Sequence, residues 1–234
     1  MIILVLILSV IVSGLIALSL NNYNRQNLKL LLAFSGAYLL TITVTKLIPE
    51  VYRHGSSIEG YYILVGFFIQ VLLEYLSKGI EHGHTHEGHK HSLPILSVAA
   101  GLYLHSFFEG MPLANSSADY NRALVTGIAM HNIPVGFAFV IMLLQSGIKR
   151  TTALMLLIAF SLMAPLGIGV CHLITVSGVV FDTGLWFNRL MAVVIGIFLH
   201  ISTTILYEAE ENHRFNLYKF ISLIVGIALA SLII

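Results

Sequence analysis

The sequence has few charges and almost no cysteine. Only 10% of its 234 residues are Asp, Glu, Lys or Arg, and 57% are hydrophobic. A soluble domain carries about 25% charged residues, so this composition predicts an integral membrane protein built from helices. The formal net charge of +1 gives no reason to expect a nucleic acid as partner. The single Cys171 excludes an intrachain disulfide bond.

The first twenty residues are apolar and lack the basic flank of a secretory signal, so we expect a first transmembrane helix there. A helix needs about 20 residues to cross the bilayer; eight crossings use about 160 residues and leave only short loops. We therefore predict an all-α polytopic protein with one transmembrane domain over residues 1–234. The eight predicted spans are 2–20, 28–49, 61–80, 93–115, 121–145, 151–173, 184–206 and 215–234.

The basic residues indicate the orientation of these spans. One set of loops and helix ends carries eight Lys or Arg residues and the opposite set carries three. Because positively charged loops stay in the cytoplasm, we expect both termini outside and the loop at 81–92 in the cytoplasm. The richer set comprises Arg25, Lys29, Lys78, Lys90, Lys149, Arg150, Arg214 and Lys219, against Arg53, Arg122 and Arg189.

A short internal similarity links the second and seventh predicted spans. Residues 45–50 read Thr-Lys-Leu-Ile-Pro-Glu, and residues 203–208 read Thr-Thr-Ile-Leu-Tyr-Glu. In the predicted topology these two span ends face opposite sides of the membrane, as an inverted repeat requires. We therefore predict that spans 1–3 and 6–8 form an inverted repeat around spans 4 and 5.

Two polar clusters interrupt consecutive apolar spans. Residues 105–110 read His-Ser-Phe-Phe-Glu-Gly, and residues 131–136 read His-Asn-Ile-Pro-Val-Gly. An ionisable group in the bilayer costs about 2–3 kcal/mol or more unless it gains a partner, so such residues indicate a function. His105 and Glu109 are four residues apart and share one helix face. Imidazole and carboxylate are ligands for a divalent transition metal.

A purely structural role for these clusters is the alternative. A lone membrane histidine often forms a hydrogen bond between helices, and Ser106 and Asn132 could do the same. Glu109, however, needs a cation or a proton, and its own span contains no Lys or Arg. The cost of that carboxylate favours the metal-site interpretation.

Residues 81–92 form a histidine-rich segment between the third and fourth predicted spans. Gly, Thr and charged residues separate its histidines, which argues against a rigid, closed site. We expect a flexible cytoplasmic loop that binds metal weakly, although a solvated loop without a role is the alternative. Its five histidines are His82, His84, His86, His89 and His91.

Together these motifs resemble the Zrt/Irt-like (ZIP) family of metal transporters. Its fourth- and fifth-span motifs, HNxxEG-like and HNxPEG- or HExPHE-like, share their frames with residues 105–110 and 131–136. The second-span ending 47–50 and the sixth-span segment 165–167 also fit. The resemblance covers the whole chain, and it implies eight spans, a His-rich cytoplasmic loop and a metal site between spans 4 and 5.

Carried over position by position, the resemblance implies a set of metal ligands. His105, Glu109 and His131 would be the main ligands, with Asn132 and, more weakly, Ser106 at the places of second-site ligands. Two departures concern carboxylates: Val135 stands where the family usually has one that bridges two metals, and Ala164 stands where some members have Glu. Ser106 also replaces the family's common Asn. The expected site therefore holds one ion rather than two.

The resemblance implies a transporter that carries divalent ions into the cytoplasm, with Zn²⁺ first and Fe²⁺, Mn²⁺ or Cd²⁺ as other cargo. No enzymatic activity and no resident cofactor are expected. The expected location is the plasma (inner) membrane, with the lipid bilayer and metal ions as partners and a homodimer left open. Two alternatives remain. One is an intramembrane zinc metallohydrolase, and the other is an exporter of the cation diffusion facilitator type, which normally has six spans and a soluble C-terminal domain.

Overall fold

The computed structural model describes residues 1–20, 25–77, 95–115, 121–180, 182–208 and 217–233. Every regular element in these ranges is helical, which confirms the prediction of an all-helical protein. The helices are α1 (Ile2–Ser19), α2 (Arg25–Ile42), α3 (Ile48–His54), α4 (Glu59–Ser77), α5 (Ile95–Gly110), α6 (Asn121–Gln145), α7 (Arg150–Val176), α8 (Thr183–Glu208) and α9 (Leu217–Ile233).

Two short helical turns of other types adjoin these α-helices. A π-helical turn, Thr43–Leu47, joins α2 to α3, so that 25–54 is one continuous helical run. Pro49 lacks the N–H that would bond to the carbonyl of Thr45, and the register shifts so that Ile48 N–H bonds to Thr43 O. A 3-10 turn, Met111–Ala114, follows α5 at Pro112. Within the described ranges the chain therefore has eight helical segments, one for each predicted span.

Length and composition identify five of these segments as able to cross a membrane. They are 2–19, 26–54, 121–145, 150–176 and 183–207. A further apolar helix, α9, has 17 residues and is shorter. The buried fraction of these helices differs widely. In α6, 78% of the residues in its most apolar stretch are buried inside the protein, against 28% in α1. The helix that carries the fifth-span motif is therefore central, whereas α1 has a broad apolar outer face.

Several serine and threonine hydroxyls inside the helices form hydrogen bonds within their own helix. Ser13, Ser35 and Ser161 donate to carbonyl oxygens three residues earlier. Thr43 and Ser202 donate to carbonyls four residues earlier, at 2.7 and 2.6 Å. Such bonds let a polar side chain sit within an apolar helix without an interhelical partner. The buried His, Glu and Gln side chains are different, because their polar atoms extend beyond their own helix.

The helices pack as two bundles. In the first bundle, α7 contacts α1, α5 and α6, and α1 packs along α6. In the second bundle, α8 contacts α2, α3 and α4, and α9 packs along α2. The most extensive contacts between the bundles are those of α2 with α6 and of α4 with α5. Both polar clusters predicted from the sequence lie in the first bundle, on α5 and α6.

The closest approach within the second bundle requires glycine on both helices. A Cβ atom added at Gly66 of α4 would lie 1.9 Å from the carbonyl oxygen of Val193 on α8. A Cβ atom at Gly196 of α8 would lie 1.9 Å from the carbonyl oxygen of Ile63 on α4. Because these neighbours are backbone atoms, they cannot move aside as a flexible side chain would. Small residues let membrane helices approach this closely.

Replacing either glycine by alanine is expected to destabilise the protein by about 1–3 kcal/mol, because the methyl group forces α4 and α8 apart. Thermal unfolding in detergent of Gly66→Ala and Gly196→Ala measures this. Gly169→Ala on α7 is the matched control, because nothing lies within 4 Å of its added Cβ. Equal melting temperatures for Gly196→Ala and Gly169→Ala would contradict the proposed packing.

Candidate metal centre

Helix α5 brings His105 and Glu109 together. Residues four apart lie one above the other on a helix, and here His105 Nε2 is 3.1 Å from Glu109 Oε1. Both side chains are inaccessible to solvent, with exposed fractions of 1% and 0%. The predicted pairing on one helix face is thus present in the structure, inside the protein rather than on its surface.

His131 reaches the same place from α6. Its ring centroid is 5.9 Å from that of His105, and the two ring planes are nearly perpendicular, at 85°. His131 is fully buried. One ligand atom from each of His105, Glu109 and His131 lies within 4.8 Å of the other two. We call these three residues the His–Glu–His centre.

The spacing of this centre is compatible with one metal ion. With metal–ligand bonds of about 2.0–2.2 Å, tetrahedral ligand atoms lie about 3.4 Å from one another. Since the atoms here are no more than 4.8 Å apart, shifts of about an ångström bring them onto one ion. It is also the one group of three or more converging His, Cys, Asp or Glu side chains in the described part of the chain.

The carboxylate of Glu109 makes the centre favourable for a cation. Within the described ranges, no hydrogen bond reaches either of its oxygens, and its contact with His105 is at ion-pair distance without hydrogen-bond geometry. A buried carboxylate without donors is costly as an anion. It becomes stable with a proton or with a positive ion between it and the imidazoles, and this makes the centre a candidate site for a divalent cation.

A glutamine that the sequence analysis did not single out touches the centre from the second bundle. Gln70 of α4 is fully buried, and its Oε1 lies 3.0 Å from His105 Nδ1. The only available signal was a polar residue in the predicted third span, four positions before Glu74. Its partner on α5 is distant in sequence, so the contact becomes visible only once the helices are packed.

Two other candidate ligands are buried, and neither adds an acidic group to the centre. Ser106 on α5 and Asn132 on α6 have exposed fractions of 1% and 2%. Val135 and Ala164 stand at the two positions that the resemblance assigns to carboxylates. Both are buried in the hydrophobic core. The loop histidines His82, His84, His86, His89 and His91 lie outside the described residues.

A second histidine–carboxylate pair lies between α4 and α8. His200 Nε2 contacts Glu74 Oε2, and the His200 ring packs edge-on against Phe67 at a centroid distance of 4.8 Å. Glu74 is one helical turn beyond Gln70 on α4. This pair is partly exposed, with side-chain exposed fractions of 12% for His200 and 25% for Glu74, unlike the enclosed His–Glu–His centre.

Comparison with known proteins gives one family. The model of the ZIP zinc transporter family matches residues 81–234, about two thirds of the chain, and this region contains His105, Glu109 and His131. A search of curated proteins finds no match. The resemblance that the two polar clusters suggested is thereby confirmed: the chain belongs to the ZIP zinc transporter family.

Proposed function

We propose that this ZIP-family member carries divalent metal ions, Zn²⁺ first among them, across the plasma (inner) membrane into the cytoplasm. The family supplies the activity, divalent metal transport. The observation that carries the proposal for these residues is the convergence of His105, Glu109 and His131 in an enclosed centre. Two imidazole nitrogens and a carboxylate oxygen suit Zn²⁺, and they also accept Fe²⁺, Mn²⁺ or Cd²⁺.

The proposed topology has eight membrane crossings in a single transmembrane domain, with both termini outside. Eight helical segments within the described ranges support this number, five of them long and apolar enough by themselves. One set of loops and helix ends carries eight Lys or Arg residues and the opposite set carries three, which supports the orientation. In this topology residues 81–92 form a cytoplasmic loop. Its histidines bind the transported ions weakly and release them quickly.

The packing pattern supports the proposed inverted repeat of spans 1–3 and 6–8. If spans 1, 2, 3 and 4 correspond to spans 6, 7, 8 and 5, the pair α4–α8 should recur as α9–α2, and the pair α1–α6 as α7–α5. All four pairs are in contact. The close approach at Gly66 also has a counterpart, since a Cβ atom at Gly226 of α9 would lie 2.5 Å from Phe34 O on α2.

In the proposed mechanism the His–Glu–His centre holds the ion while access changes sides. The imidazoles of His105 and His131 offer lone pairs, and the Glu109 carboxylate neutralises part of the ion's charge. Relative movement of the two bundles would expose the centre first to the outside and then to the cytoplasm, as transporters built from inverted repeats do. Since the ligands belong to the first bundle, the ion would move with α5 and α6.

An intramembrane zinc hydrolase is the competing function. Three protein ligands with an open fourth position are also the arrangement of catalytic zinc, which activates water. Assignment to a family of transporters favours transport, and it also favours the ZIP architecture over an exporter of the cation diffusion facilitator type. Metal uptake by proteoliposomes without turnover of an added peptide or ester substrate would distinguish transport from hydrolysis.

Removing one ligand should abolish most of the transport. We expect His105→Ala, His131→Ala and Glu109→Gln to lower Zn²⁺ uptake into proteoliposomes by more than about 100-fold, since even outer-shell changes cost about 10–100-fold. His172→Ala is the matched control, because His172 is an exposed histidine on α7. Native uptake by His105→Ala and His131→Ala would show that the ion takes another route.

The centre should bind one ion per chain. The measurement uses full-length protein whose five loop histidines are replaced by serine, which we call the loop-silenced protein. Equilibrium dialysis with Zn²⁺ followed by metal analysis should give a ratio near one, because neither Val135 nor Ala164 supplies a bridging carboxylate. A ratio near two, lost on replacing Asn132 or Ser106 by alanine, would restore a second site.

Zn²⁺ binding to the loop-silenced protein should weaken as the pH falls. Protons compete with the metal for the imidazole nitrogens and the carboxylate oxygen, so the apparent dissociation constant rises in acid. Titrations of the same protein at several pH values measure this change. A dissociation constant that is independent of pH would mean that the ion is held by groups that do not titrate.

A further inference from the structure

We propose that Gln70 is a positioning residue for the metal ligand His105, and that through it the second bundle sets the metal affinity of the first. This inference rests on the proposed metal-binding role of the His–Glu–His centre. It begins from the contact of Gln70 Oε1 with His105 Nδ1 at 3.0 Å, between two side chains that are almost completely buried.

The contact fixes which nitrogen of His105 carries the proton. A glutamine carbonyl oxygen only accepts, so the contact requires that His105 Nδ1–H donates to it. The neutral imidazole then has its lone pair on Nε2. That atom lies 3.1 Å from Glu109 Oε1 and is on the side of the ring where the carboxylate stands. Gln70 therefore presents the nitrogen that a metal needs, directed into the centre.

Ligating histidines generally depend on such a second contact. When the other ring nitrogen donates to a carbonyl, carboxylate or water, the tautomer and the ring orientation are fixed and the ligand becomes more basic. Here the partner is a carboxamide in a buried position, where the cost of leaving an amide without hydrogen bonds is high. The bond is therefore retained in the state that the structure shows.

The position of Gln70 gives this contact a further consequence. His105, Glu109 and His131 belong to the first bundle, whereas Gln70 belongs to α4 of the second. Helices α4 and α5 form one of the main contacts between the bundles. A relative shift of the bundles breaks the Gln70–His105 bond while leaving the three ligands together. Metal affinity is then highest in the arrangement seen here and lower after a shift, which favours release.

The test compares variants of the loop-silenced full-length protein. Gln70→Met removes the acceptor at nearly constant volume and should weaken Zn²⁺ binding by about 10–100-fold. Gln70→Glu keeps an acceptor that cannot donate and should restore binding to at least the native affinity. Leu73→Met is the matched control, because it changes a buried side chain on the same helix with little effect on packing.

A second measurement leaves Gln70 unchanged. Solid-state NMR of the isotope-labelled imidazole nitrogens in metal-free native protein reports the tautomer of His105, assigned by its loss in His105→Ala. We expect the proton on Nδ1. A His105 protonated on Nε2 would overturn the inference, as would native affinity in Gln70→Met or failure of Gln70→Glu to restore binding.

Different results would contradict the metal centre and the role of Gln70. Native Zn²⁺ binding in His105→Ala would contradict the metal centre itself. Loss of binding in His105→Ala together with native binding in Gln70→Met would leave the centre intact and remove only the role of Gln70. Weakened binding in Gln70→Met with native binding in Leu73→Met supports both.

Discussion

The burial of one carboxylate is the constraint on which the structure depends. Glu109 is completely enclosed, without hydrogen bonds from the residues described, and its nearest charged or chargeable neighbour is an imidazole on its own helix. Such a group is expensive in an apolar interior as a bare anion. The second imidazole, from His131, completes a set of three groups whose donor atoms suit a divalent cation. In the proposed metal site, the cost of burying Glu109 and the affinity for a cation have the same origin.

The helix packing maintains that enclosure. Helix α6 is the most enclosed of the five long apolar segments and supplies His131 to the interior, while α7 joins α5 and α6 within the first bundle. Glycines at the tightest crossings let the helix backbones touch. Several serine and threonine hydroxyls of the spans bond to carbonyls of their own helices. The long polar side chains remain to define the site.

Most of the architecture was predictable because membrane helices obey a simple hydropathy rule. Each predicted span coincides with a helical segment where the chain is described, although several segments run further than predicted. The second ends at His54 rather than at residue 49, because its last turns carry polar residues such as Arg53 that a hydropathy window excludes. The pairing of His105 with Glu109 was also predictable, since it follows from residues four apart on one helix.

Contacts between distant helices were not predictable from single residues. Gln70 and Glu74 lie on one face of α4, yet nothing in their spacing indicates that one meets His105 and the other meets His200. The π-helical turn before Pro49 likewise depends on how the freed carbonyl is satisfied, which the proline alone does not decide. The two side-chain contacts are tertiary, and the one between Gln70 and His105 connects the centre to α4.

We propose that one metal ion is held among His105, Glu109 and His131. X-ray absorption spectroscopy of Zn²⁺ bound to the loop-silenced protein tests it most directly, because scattering from imidazole rings differs from that of carboxylate or water oxygens. The first shell should contain two imidazoles and at least one oxygen, with one imidazole lost in His105→Ala. A shell without imidazole, or one unchanged in His105→Ala and His131→Ala, would contradict it.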